Sequence, residues 1–256
     1  MTKDAKKFLI CVAAGIAVLA VIALLGSLFS FGTGVGENKT YEVTGEVKSL
    51  EVEIGAADFR IETGDEFSVE SNLKNLTFRQ TGDRLILREK SINKTYNGAQ
   101  LTIYIPEGTV FTQIDITTGA GKFTAGSLSA ETIDFEFGAG EVNIGELNAT
   151  READIEGGAG QITIGSGSLR DLSLDMGVGE LDLTSKIVGE GELNLGVGDV
   201  QITLIGSRED YTVELNKGLG ELRLDGENIS GGRTIGNGQN DVEINGGIGS
   251  IDVSFK

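Results

Sequence analysis

A Gly-hydrophobic-Gly triplet recurs along this chain at a nearly fixed interval, and this periodicity restricts the available folds more than any other feature. It occurs at 119–121 (GAG), 138–140 (GAG), 158–160 (GAG), 177–179 (GVG), 196–198 (GVG), 218–220 (GLG) and 247–249 (GIG). Successive first glycines are 19, 20, 19, 19, 22 and 29 residues apart. Alternating segments precede the triplets (IDITT, IDFEF, ADIEG, LSLDM, GELNL, VELNK, VEING), and short alternating segments such as KFTA, EVNI and ELDL follow them. A degenerate eighth copy, LEVEIGAADFRI at 50–61, has Ala57 in place of the second Gly.

Period-2 alternation predicts strand, and its return every 20 residues or so predicts an all-β, single-chain β-solenoid of at least seven stacked coils. Each coil leaves its strand edges unpaired until the next one covers them. Ile116, Phe135, Ile155, Leu174, Leu193, Leu215 and Ile244 share one place in the repeat and are the expected core. The inward phase slips by one residue near Gly121-Lys122, which calls for a bend or bulge. The triplet is therefore read as a corner, with its central residue expected to pack inside. The same reading disposes of GAGKFT (119–124) as a phosphate loop. That motif needs GxxxxGK[ST] between a strand and a helix, whereas here Phe follows Lys122, position 116 is Ile, and more strand follows.

Composition narrows the chemistry. The 256 residues include no His, no Trp and one Cys, with a formal charge of −18. The usual general base and zinc ligand are missing, and a chain so acidic is a poor partner for nucleic acid. No cofactor is expected. Cys11 falls within Phe8–Phe31, 24 positions without a charged residue. A helix of that length covers about 36 Å, enough to cross a bilayer core of about 30 Å. Lys3, Lys6 and Lys7 precede it, so the expected topology is a single-pass membrane protein with its N-terminus cytoplasmic and the rest extracytoplasmic, a cleaved signal peptide being the rival reading of the same segment. The expected organisation is a stub and transmembrane anchor at 1–32 and a polar linker at 33–44. An irregular β region with the first coil and a hairpin (77–89) follows at 45–112, and regular coils occupy 113–256.

Four residues before each corner lies an outward position occupied by Glu51, Asp115, Asp134, Asp154, Ser173, Glu192, Glu214 and Glu243. Parallel stacking would set these about 4.8 Å apart. The column is read first as a solvated face that keeps the stack soluble. It is also the one candidate for weak divalent cation binding, through Asp115, Asp134, Asp154, Glu192, Glu214 and Glu243. Asn194, Asn216 and Asn245, two positions before the last three corners, could form an amide ladder. The acids follow the repeat rather than breaking it, so no catalytic constellation stands out and the chain is expected not to be an enzyme.

One N-terminal apolar segment, then IYIPEGTVFTQIDITTGAGKFTAG and a run of GAG/GVG coils, resembles the bacterial "putative adhesin" family of β-strand-repeat envelope proteins. The similarity covers about residues 45–256. It implies a non-enzymatic cell-surface β-solenoid that binds an envelope polymer or protein. The alternative it implies is an accessory or sensor of an envelope-stress system, binding a neighbouring membrane protein through its helix or an uncapped C-terminal coil.

Overall fold

The computed structural model describes residues 35–89, 98–216 and 218–256. The stub and membrane helix expected within 1–32 lie outside the described residues. Among those, no helix is long and apolar enough to cross a membrane.

One sheet contains all the strands described. They begin with β1 (Val35–Glu42), β2 (Ser49–Gly64), β3 (Ser68–Leu73), β4 (Leu76–Thr81), β5 (Arg84–Glu89) and β6 (Gln100–Pro106). The long β7 (Phe111–Ile164) and β8 (Gly167–Leu204) form the body of the stack. A 3₁₀ turn at Arg208–Asp210 leads to β9 (Tyr211–Asn216), β10 (Leu219–Leu224), β11 (Glu227–Asn228), β12 (Arg233–Gly236), β13 (Asn240–Asn245) and β14 (Ile248–Phe255).

The alternation explains why β7 and β8 coil rather than extend. Buried pairs Ile114/Ile116, Phe123/Ala125 and Leu128/Ala130 follow one another with a slip of phase between them, and Ile133/Phe135 opens the next coil. Each coil therefore has three short sides wrapped around one core. Coils stack in parallel register, with Glu51 beside Asp115, Phe59 beside Phe123 and Asp154 beside Ser173. Like side chains meet like inside, so Phe59 and Phe123 lie 4.8 Å apart between ring centroids, and Phe123 and Phe137 5.6 Å. All seven residues expected in the core are buried.

At the corners the two glycines of a triplet are needed for different reasons. A Cβ on Gly138 would lie 2.2 Å from the carbonyl oxygen of Gly119 in the coil before it, so crowding alone excludes a side chain there. Gly140 has the same problem at 1.8 Å and also a φ of +140°, which L side chains rarely adopt. The central residue, expected inside, points outward instead. Ala120, Ala139, Ala159 and Val178 are half-buried, while Val197, Ile248 and Leu219 are 39%, 42% and 66% exposed. The corner is convex, so the phase slip that returns Phe123 to the core turns the apex residue away from it.

At both ends the spatial order departs from the chain order. β2 is the second tier of the stack, paired on one side with β7 and on the other with β5 and β6, which come later in the chain. At the far end β13 and β14 insert between β8 and the coil formed by β9 and β10. First glycines consequently stack in the order 55, 119, 138, 158, 177, 196, 247, 218. The coil expected to be uncapped at the C-terminal side is covered on both edges. Coils so alike can pair in either order, and the longer spacings of 22 and 29 residues supply the chain that makes the detour.

Antiparallel strands close the two ends. β4 pairs with β5 across the Gly82 turn, as the 77–89 hairpin reading requires. β3 pairs with β6, and β12 with β9. Most of the stretch read as a linker is strand: β1 lies antiparallel on β3, with Tyr41 stacked on Phe78 at 5.1 Å. An edge strand needs few apolar residues, and Val35, Tyr41 and Val43 are enough to seat this one against the core.

Candidate functional site

The outward positions of one side of the coils form a carboxylate face. The column beginning Glu51, Asp115 continues to Asp154 and Ser173 and ends in the order Glu192, Glu243, Glu214, so Glu243 rather than Glu214 is flanked by two acids. Beside it runs a second column that includes Glu156 and Asp175 and ends in Asn194, Asn245, Asn216. Burial, then the neighbouring charges of Asp134, Glu51 and Glu136, raises the pKa of Asp115 above the ordinary carboxylate value. Asp154 and Glu156 are raised in the same way, by burial first and then by charges that include Asp134 and Glu136. The fold carries this repulsion as a standing cost.

The face begins at a neutralised end. Burial of Glu51 opposes its charge, but hydrogen bonds from Arg88 and Arg84 outweigh that and hold its pKa low. The Arg88 Nε donates to Glu51 Oε1 at 2.9 Å. At the far end the amide ladder forms: Asn245 Nδ2 donates to Asn194 Oδ1 and Asn216 Nδ2 to Asn245 Oδ1, both at 3.0 Å. Beside the ladder, at this same end, the face dips into a groove of about 480 Å³, whose lining includes Asp171, Glu190, Glu192, Glu214, Asp241 and Glu243.

Among the described residues, no three His, Cys, Asp or Glu side chains are grouped so that they could hold a metal ion. The six acids named from the sequence project side by side from parallel strands instead of converging. Around the corner the column after the second glycine is mixed: Lys122 pairs with Glu141 at 2.9 Å, and Ser250 Oγ donates to Asp199 Oδ1 at 2.5 Å. Val197, Ile248 and Leu219 stand in register between the two columns as an exposed apolar ladder.

Sequence reasoning missed the Arg84–Glu51–Arg88 clamp, the groove and the apolar ladder. A signal for the first was present, since Arg84 and Arg88 share a parity in β5. The others depend on the inserted coil, which repeat counting cannot place. Buried Glu89 was also unseen: it accepts from the Gly55 N–H at 3.2 Å and stands in for corner backbone above the degenerate copy.

Fold and surface together define a parallel β-solenoid whose conspicuous features are exterior columns rather than an enclosed pocket. The match of a family model described as Toastrack DUF4097 to residues 38–254 goes further, and the chain belongs to that family. No curated protein matches it. Among solved structures it is similar to a "putative cell adhesion protein" from Clostridium sporogenes (14% identity, 86% of this chain and 99% of that one, TM-score 0.39). It is also similar to a "putative adhesin" from Bacteroides fragilis (12%, 85% and 96%, 0.45) and to a "putative lipid binding protein" from Parabacteroides distasonis (18%, 88% and 98%, 0.41).

Proposed function

We propose that this chain is a non-catalytic binding module of the bacterial cell surface, anchored by residues 8–31, that grips a cationic envelope polymer or protein with its carboxylate face. The observation that carries this reading is the groove lined by Asp171, Glu190, Glu192, Glu214, Asp241 and Glu243. Concentrated like charge raises the local concentration of an opposite ligand and speeds its capture. Polylysine serves as the probe: wild type binds it in a salt-sensitive way, and Glu192→Gln/Glu243→Gln weakens binding about threefold to tenfold at low salt. Unchanged binding by that variant removes the groove from the function.

A second reading, docking onto a neighbouring membrane protein, is favoured by the exposed ladder of Val197, Ile248 and Leu219. Its mark is a partner lost on Ile248→Gln/Leu219→Gln and retained by the groove variant.

A further inference from the structure

The coil at 240–255 lies inside the stack although the coil it separates from the body, 211–224, precedes it in the chain. We propose that this coil is exchanged between two copies, the 240–255 segment of one chain filling the slot between 190–204 and 211–224 of the other.

The coil behaves as a self-contained insert. Both its edges are bonded along their length, Asp241–Asn245 to Glu190–Asn194 and Ile248–Phe255 to Val197–Leu204 on one side, and β9 and β10 on the other. It carries its own docking groups at both ends. Buried Asn240 accepts from the Gly189 N–H at 3.1 Å and donates to Asp210 O at 2.9 Å. Phe255 packs 5.9 Å from the Tyr211 ring, with the Arg208 guanidinium 5.8 Å from its centroid, and its N–H donates to Asp225 Oδ1 at 3.2 Å. Gly189, Arg208, Asp210 and Tyr211 border the slot, and a second copy presents the same four, while Asp225 opens the connection to the coil.

The connection to the coil is built to open. Residues 225–239 contain five glycines, and none of the fifteen is buried. Short antiparallel pairings hold it, β11 to β10 and β12 to β9. Exchange keeps the coil's strand pairings on both edges and alters the connection, with the two Asp225 bonds to Val253 and Phe255 at its start, which is close to the condition under which an element swaps at low cost.

The test mixes two full-length chains, both Cys11→Ser, one carrying Asp199→Cys and the other Ser250→Cys. The two positions are register partners, and neighbouring parallel strands are close enough for a disulfide. After incubation at high concentration just below melting and then mild oxidation, the expected product is a disulfide between the chains. It should be at least about tenfold above that from a control mixture of Lys122→Cys and Glu141→Cys chains, whose coils are fixed by continuous chain. A single chain carrying both Asp199→Cys and Ser250→Cys checks that the site can close. If that chain forms its internal disulfide while the mixture yields no interchain product, the proposal is overturned. Equal cross-linking in the control mixture overturns it as well.

Discussion

Glycine does opposite things at two positions in successive coils. At Gly126 an added Cβ meets nothing within 4 Å, because the coil before it has already turned away, and its φ is not positive. At Gly140 the Cβ meets backbone at 1.8 Å. Gly126→Ala should therefore leave stability unchanged or raise it by up to about 1 kcal/mol through the unfolded chain. Gly140→Ala should cost about 3 kcal/mol or more, since neither the φ nor the neighbouring coil can yield cheaply. Chemical denaturation of the two variants checks this, and similar midpoints would mean that the corners are looser than described. The triplets stood out in the sequence because crowding recurs in every coil. The outward turn of the central residue did not, because an apolar residue beside a core strand reads as core by default.

At the scale of an element, the amide ladder shows how a column can change its chemistry partway along. Asn245 bonds to Asn194 on one side and Asn216 on the other. Replacing Asn245 with Ala removes both bonds and should destabilise the domain by about 1–2 kcal/mol. The same change at Asn194 removes one of these bonds and should cost about half as much. Equal effects in thermal melts would argue that water replaces the ladder bonds freely. The three residues were legible in the sequence as a set, but not in their order. Counting along the chain puts Asn216 between the others, whereas the inserted coil puts Asn245 there. The core positions were legible because a two-residue alternation gives the face of a strand whatever its neighbour. Which strand is the neighbour depends on pairing, and near-identical coils leave that open.

Across the whole molecule, unbalanced acid sets the pH response. Asp115, Asp154, Glu156 and Glu89 all have folded pKa values raised, with burial the leading cause in each. A raised carboxyl pKa means that the folded state holds its proton more tightly than the unfolded chain does. That contribution is present in full below the unfolded pKa and is lost as pH rises through the folded one. Glu51, held low by Arg88 and Arg84 against its own burial, works the other way, as do Glu141 beside Lys122 and Asp210 beside Ser207, but these last two are exposed and solvent weakens their effect. The melting temperature should therefore rise as pH is lowered from 7 to about 5, and Asp154→Asn should reduce that gain. A melting temperature that falls steadily over this range would show that the carboxylates held low outweigh the buried ones.

The detours at the two ends have a consequence for synthesis. A simple solenoid could add each coil to the one before it as the chain lengthens. Here residues 211–224 are made before the surface they finally rest on, and must wait for 240–255. A chain interrupted before Asn240 lacks the tier that joins residues 211–224 to the body of the stack. The far end of the molecule thus reports whether translation has reached it.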